Sequence, residues 1–280
     1  MDLRKATRLF YAATMIGIGL VGVAGRSFAP IWLPVPKALL GNQVIMWLSF
    51  LVLAVGGFGL LARCAAAAGL ALLICFSAWT AVTKLPFIIH SPLVEGGYQS
   101  CGENIVYIAG AWVIYCWCAN GQGNARLNLI SGESGIRAAR FIYGLALMAF
   151  GLSHFVYLQF TAPLIPPWLP NPVFWAYFTG GAYFVAGVAI LFGAWAKLAA
   201  NAVALQISLI TILVWGPMVL AGEMSPMHLQ ETVVSWAITA GAWVMAASYE
   251  GHTWLEGPIN PFRFRPSLRS TAPEDRKEAV

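Results

Sequence analysis

The sequence predicts an all-α, polytopic integral membrane protein with eight transmembrane helices, built as two parallel four-helix repeats. Three observations carry that prediction. Only 10% of the 280 residues are charged while 59% are hydrophobic, and mean hydropathy is +0.73; soluble domains are ~25% charged. Long uncharged runs divide the chain: 25 residues between Lys37 and Arg63, 20 between Arg63 and Lys84, 56 between Arg140 and Lys197, and 25 between Lys197 and Glu223. About 20 apolar residues in a helix cross a ~30 Å hydrocarbon layer, so only short connectors remain and no sizeable soluble domain fits. Third, the second half of the chain echoes the first.

Taken in order, the spans fall at 7–25, 39–62, 64–83, 103–119, 140–158, 173–195, 198–221 and 231–249. The runs are continuous rather than alternating, which favours helices over barrel strands. In lipid each helix also satisfies its own backbone hydrogen bonds. The first span follows the basic stretch Met1–Lys5 and so has the outline of a signal peptide. Its counterpart within the chain, 140–158, marks it instead as a retained structural helix.

Charge sets the expected orientation. With the N-terminus inside, thirteen Lys and Arg residues fall on the inner side and three, Arg26, Lys37 and Lys84, on the outer side. This positive-inside bias places both termini in the cytoplasm. The net charge of +5 and pI near 9.0 then follow from membrane anchoring, and the basic tail suits anionic headgroups. Nucleic acid is not an expected partner, because beyond Phe262 and Phe264 the tail interleaves no stacking aromatics with its arginines.

Laying 8–119 over 140–250 exposes the repeat. Arg8, Tyr11, Gly19 and Leu20 fall on Arg140, Tyr143, Gly151 and Leu152 at a constant offset. Trp32-Leu33-Pro34-Val35-Pro36 falls on Trp168-Leu169-Pro170-Asn171-Pro172, and Phe58-Gly59 with Ala62-Arg63 on Phe192-Gly193 with Ala196-Lys197. Gly110-Ala111-Trp112-Val113 falls on Gly241-Ala242-Trp243-Val244. An even number of spans per unit inserts both copies in the same sense, about an axis along the membrane normal. The expected organisation is a first unit at 1–125, a cytoplasmic linker at 126–139, a second unit at 140–250 and a cytoplasmic tail at 251–280. Shared Gly and Ala positions allow close helix approach, and the Trp-Leu-Pro-x-Pro segments end a helix at an aromatic membrane interface.

Gly151-Leu152-Ser153-His154-Phe155, Pro163-Leu164-Ile165-Pro166-Pro167-Trp168-Leu169-Pro170, the helix ending in Phe192-Gly193-Ala194-Trp195 and a last helix entered through Glu231 resemble the DoxX-like family of small four-helix membrane proteins. The resemblance covers most of 140–250. The first unit resembles a diverged copy, with Gly22 at the position aligned with His154. The resemblance implies the four-helix fold and, loosely, a place in membrane-bound redox assemblies, thiosulfate:quinone oxidoreductase among them. More distant look-alikes are cargo receptors.

Ionisable residues within a membrane are costly and are functional candidates. On the expected topology His90, Cys101, Glu103, His154, His228 and Glu231 all lie at or near the outer face. Glu231 opens the eighth helix and Glu103 the fourth. Three readings remain open. His154 and His228 with Glu231 would form a metal or haem site, but His228-Leu229-Gln230-Glu231 supplies only an i,i+3 pair, and zinc or haem needs further ligands. A quinone pocket would use His154 to hydrogen-bond a carbonyl and Glu231 to accept or relay a proton, with His228, Trp168 and Glu103 as binding residues. Alternatively these side chains cap helices and bond to backbone at a wet interface, as Glu does at a helix N-terminus.

The five cysteines offer no Cys-x-x-Cys, and Cys116-Trp117-Cys118 places its thiols on different helix faces. Phosphate-cradling, zinc-hydrolase, nucleophile-elbow and nicotinamide-binding motifs are absent from the sequence. The function expected is therefore a membrane subunit or accessory of a quinone-linked redox system in a bacterial inner membrane. Electrons would come from a soluble or membrane redox partner. The alternative is a non-catalytic scaffold, cargo receptor or carrier of lipids or small molecules.

Overall fold

The computed structural model describes residues 2–119, 130–222 and 225–258, and every regular element among them is helical. The basic tail from residue 259 onward and Arg126 in the expected linker lie outside the described residues.

Polar caps and glycines set the helix ends. Helix α1 (Leu3–Gly25) starts at Asp2, whose carboxylate accepts from the Arg4 N–H at 3.0 Å. Helix α2 (Gln43–Leu61) starts at Asn42, which accepts from the Ile45 N–H at 3.1 Å. These contacts satisfy amide donors that have no partner within the helix. Helix α3 (Ala65–Thr83) runs through Lys84 into α4 (Leu85–His90), and α5 (Glu95–Cys118) follows. The second half begins with α6 (Gly132–Val156) and a short α7 (Leu158–Thr161). Helix α8 (Pro172–Phe192) opens on Asn171-Pro172 and stops at Gly193, whose φ of 67° ends the helix in the left-handed region. Helix α9 (Ala196–Ile210), a π-helical turn at Thr211–Trp215, and α10 (Gly216–Ala221) form one column. Helix α11 (Pro226–Ala247) is capped by Ser225.

Six of these columns are long and apolar enough to cross a membrane: Leu3–Gly25, Gln43–Leu61, Ala65–His90, Gly132–Val156, Pro172–Phe192 and Ala196–Ala221. Helices α5 and α11 have 24 and 22 residues but are more polar, because α5 carries Ser100, Glu103 and Asn104 and α11 carries Glu231, Ser235 and Thr239.

Three helix starts differ from the hydropathy reading by five residues or more. Helix α5 begins at Glu95 rather than 103, α11 at Pro226 rather than 231, and α6 at Gly132, inside the segment read as linker. Helices α5 and α6 open on Glu95-Gly96-Gly97 and Gly132-Glu133-Ser134, turns that a hydropathy window does not register. The column 196–221, read as an unbroken helix, contains the π turn just before Pro217. Proline offers no N–H and its ring crowds the carbonyl four residues earlier, so the helix widens there.

Within the first half α1 packs on α2, α2 on α3 and α3 on α5; within the second α6 packs on α8, α8 on α9 and α9 on α11. The halves meet where α5 lies on α6, α1 on α11 and α5 on α11. Helices α5 and α11 are thus the most enclosed, and a Cβ added to Gly110 would come within 3.3 Å of the Gly241 Cα. Large apolar side chains on the outer columns, among them Leu20, Val44, Val55, Phe58, Val185 and Leu205, remain exposed, which is the surface a bilayer covers.

One end of the bundle holds both ends of the described chain. There Arg4 pairs with Glu250 at 3.1 Å, Lys197 Nζ donates to the His252 carbonyl at 2.8 Å, and the Trp195 N–H donates to the Glu256 carbonyl at 2.8 Å. The opposite, capped end holds the Pro30–Trp32 turn, the α4–α5 connection and the segment from Leu158 to Asn171.

Candidate functional site

His154 sits in the last turn of α6, at the capped end. Its Nδ1 is 2.8 Å from the Phe150 carbonyl oxygen. A carbonyl only accepts, so Nδ1 carries the hydrogen and a neutral ring presents Nε2 as a lone pair. The ring lies 5.4 Å from that of Tyr183 on α8. Close approach of α8 at Gly180 permits this, since a Cβ there would stand 2.6 Å from the His154 Cβ. Beside the histidine, Phe155 stacks on Tyr177 at 5.8 Å. Phe155, Tyr177 and Phe184 are 38%, 46% and 38% exposed on the outer surface of the bundle. The half-buried histidine, set against buried Tyr183, is thus followed on α6 by Phe155, whose stack on Tyr177 is exposed on the outside of the bundle.

A second polar cluster lies between the halves. Ser100, Glu103, Asn104 and Tyr107 follow one another at i, i+3, i+4 and i+7 on α5 and so share one face. Lys84, buried at 3% exposure, donates to the Leu33 carbonyl and to Ser100 Oγ, each at 2.6 Å. Asn104 Nδ2 donates to Thr80 Oγ1 at 3.1 Å, and Thr80 donates to the Phe76 carbonyl at 2.8 Å. Glu103 lies in electrostatic reach of Glu231 on α11 and of Lys84. The Tyr107 hydroxyl is in reach of both glutamates and of Tyr11, whose own hydroxyl donates to the Tyr107 carbonyl at 2.8 Å. The Pro30–Trp32 turn packs against α11, with the Trp32 ring 5.3 Å from Phe76 and 5.4 Å from Trp79. Two donors in this region, Tyr107 Oη and Trp32 Nε1, are buried without a hydrogen-bond partner.

Of the residues singled out in the sequence, Glu103 and Glu231 come within electrostatic reach of each other across the α5–α11 contact. His154 stands on α6, which packs on α5 and α8, whereas Glu231 stands on α11, which packs on α1, α5 and α9. The His228 N–H donates to Ser225 Oγ at 3.1 Å in the first turn of α11, and its ring is 6.4 Å from Trp215. Trp168 is 67% exposed at the capped end. His90 Nδ1 is 2.7 Å from the Pro86 carbonyl. Among the described residues no group of three His, Cys, Asp or Glu side chains could hold a metal ion. Sequence reasoning missed Lys84, Asn104 and Tyr107. The signal was present as a polar stripe of helical period in an otherwise apolar run.

Residues 135–216 match the DoxX family model. That segment is similar to the DoxX family, within a chain whose apolar helices make it a membrane protein. The DoxX segment runs from α6 through α8 and α9 to the first residue of α10, less than a third of the chain. It contains His154, Tyr177 and Tyr183; Lys84, Glu103 and Glu231 lie outside it. No curated protein and no solved structure matches the chain.

Proposed function

We propose that this DoxX-like protein is a membrane subunit or accessory of a quinone-linked redox system, with His154 meeting the quinone head group from the lipid side. The observation that carries this reading is half-buried His154 followed directly by Phe155, whose stack on Tyr177 is exposed on the outside of the bundle. An aromatic ring arriving through the bilayer finds both a stacking surface and a proton-exchanging group there. With Nδ1–H held by the Phe150 carbonyl, neutral Nε2 accepts from a quinol hydroxyl, and the protonated ring donates to a quinone carbonyl. The same contact therefore serves both directions. Reducing the quinone takes two protons, and two electrons from a partner polypeptide; the reverse step returns both. Glu231, paired with Glu103 and away from His154, exchanges protons with the medium at the capped end.

The same reading takes α5 and α11 as spans, giving eight, with both termini cytoplasmic in a bacterial inner membrane. Two parallel repeats are supported by a shared packing device. A Cβ on Gly151 would stand 2.7 Å from the Gly180 carbonyl oxygen, and one on Gly187 would stand 2.6 Å from that of Gly144. In the first half a Cβ on Gly19 would stand 3.3 Å from the Phe50 carbonyl oxygen, and one on Gly57 would stand 2.8 Å from that of Ala12. All four helices use contacts spaced seven residues apart. Pro86 and Pro217 likewise occupy the same place late in the third column of each half.

Photolabelling of the full chain in lipid nanodiscs with an azido-quinone tests the reading. Label should concentrate in 150–184, be displaced by excess quinol, and fall about tenfold in His154→Ala, corresponding to about 1.4 kcal/mol of lost contact. Label spread evenly over all outer helices, with no response to His154→Ala, contradicts it and leaves a scaffold or carrier.

A further inference from the structure

We propose that Glu103, Glu231 and Lys84 form a one-proton site between the two halves, in which the carboxylates hold a single exchangeable proton and Lys84 is the fixed countercharge. The inference deepens the Glu231 proton exchange of the quinone reading, but it uses none of the residues of the His154 shelf and does not require quinone to bind there. Charge counting leads to it. Two half-buried carboxylates and one buried ammonium leave one negative charge at the seam of an apolar bundle, where an uncompensated charge is costly. One bound proton cancels it. Lys84 cannot swing away, because Leu33 and Ser100 each hold its Nζ at 2.6 Å.

The donors around the site choose the occupant. Tyr107, 1% exposed, has a buried hydroxyl with no partner, in reach of both carboxylates. Trp32 Nε1, on the turn that packs against α11, is a second buried donor without a partner. The Lys84 ammonium repels a metal cation and the Tyr107 hydroxyl hydrogen suits a carboxyl oxygen, so the proton fits where sodium would not. The titratable groups facing the pair are Tyr11 from α1, Lys84 at the α3–α4 junction, and Cys101 and Tyr107 from α5. Below them the Gly110–Gly241 contact and the fully buried Val113 and Ile114 close the route toward the terminal end. Exchange therefore runs through the capped end: a proton enters from water there, binds one carboxylate oxygen, and leaves by the same route, with no electron transferred.

Infrared spectra of the full chain in nanodiscs, compared in H2O and D2O at neutral pH, test this. Glu95 is a buried carboxyl without a hydrogen-bond partner, so Glu95→Gln serves as the background. One protonated carboxyl C=O band per chain should appear and shift on deuteration. Glu103→Gln and Glu231→Gln should each abolish it, since either leaves one carboxylate balanced by Lys84. Lys84→Met should double it. No band in the Glu95→Gln background, or a band that survives both single Gln variants, overturns the proposal. Sodium-dependent binding in place of the band would assign a metal cation instead and overturns it equally. Quinone labelling unchanged in these variants separates this result from the fate of the His154 reading.

Discussion

Gly180 on α8 lies directly against His154 on α6, with only 2.6 Å between the His154 Cβ and the position a Cβ would take at Gly180. The absence of a side chain at one residue thus fixes where the imidazole of another can stand. The same approach brings the Gly180 carbonyl oxygen to within 2.7 Å of a Cβ placed on Gly151. Membrane helices lack a hydrophobic drive to associate and rely on such small-residue contacts. The packing motif and the candidate site are therefore one feature.

Gly180→Ala should push His154 aside and separate α6 from α8, at a cost of about 1–3 kcal/mol, as for an overpacked core. Azido-quinone labelling should drop several-fold. Gly181→Ala is the control, since a Cβ there meets nothing within 4 Å; its labelling and thermal midpoint in detergent should match the wild type.

Lys84→Met should destabilise the protein by about 3–5 kcal/mol, the range for removing one partner of a buried charge pair. Lys84→Met forces the second carboxyl to take up a proton, so the double variant Lys84→Met/Glu103→Gln, which removes that carboxyl, should recover part of the loss. Thermal unfolding in detergent reads both. Equal midpoints for the single and double variants would show that the loss comes only from the bonds to Leu33 and Ser100.

Arg140 anchors the segment after α11. It is 8% exposed, its Nε donates to Ser248 Oγ at 3.0 Å, Nη2 donates to the Ser248 carbonyl, and the guanidinium lies 3.9 Å over the Tyr249 ring. Lysine cannot reproduce a planar fork that both donates and stacks. Arg140→Lys should cost about 1.5–3 kcal/mol, the value of hydrogen bonds to a charged group. Limited proteolysis should cut beyond Tyr249 faster in the variant than in the wild type.

The orientation rests on cation placement, and Cys64 reports on it. Its thiol is exposed at the α2–α3 turn, next to Arg63. A membrane-impermeant maleimide should label Cys64 in inside-out vesicles and leave it unmodified in right-side-out ones. The reverse pattern would invert the assigned topology.

Membrane class and helix order could be read from the sequence because uncharged runs of 20–56 residues leave few other structures open to the chain. Helix starts were less legible: Glu95–Gly102 and Gly132–Ala139 are too polar for a hydropathy window, yet they are helical. Glu103 and Glu231 could be picked out individually as charges opening apolar helices. Their pairing depends on α5 packing against α11, which no local pattern encodes. Lys84 was counted only as a charge at the outer margin, although it is buried and bonded on two sides. The tautomer of His154 depends on the Phe150 carbonyl four residues earlier, a bond the helical spacing allows but does not require. The π turn had a visible cause in Pro217, hidden within a strongly apolar run.

The central claim is that a quinone meets His154. The most direct measurement is the oxidised-minus-reduced ultraviolet difference spectrum of the full chain, purified with its native lipid, recorded for the wild type and for His154→Ala. The account predicts a quinone difference band near-stoichiometric with protein in the wild type and strongly reduced in the variant. A flat spectrum in both, from lipid that itself contains quinone, would contradict it.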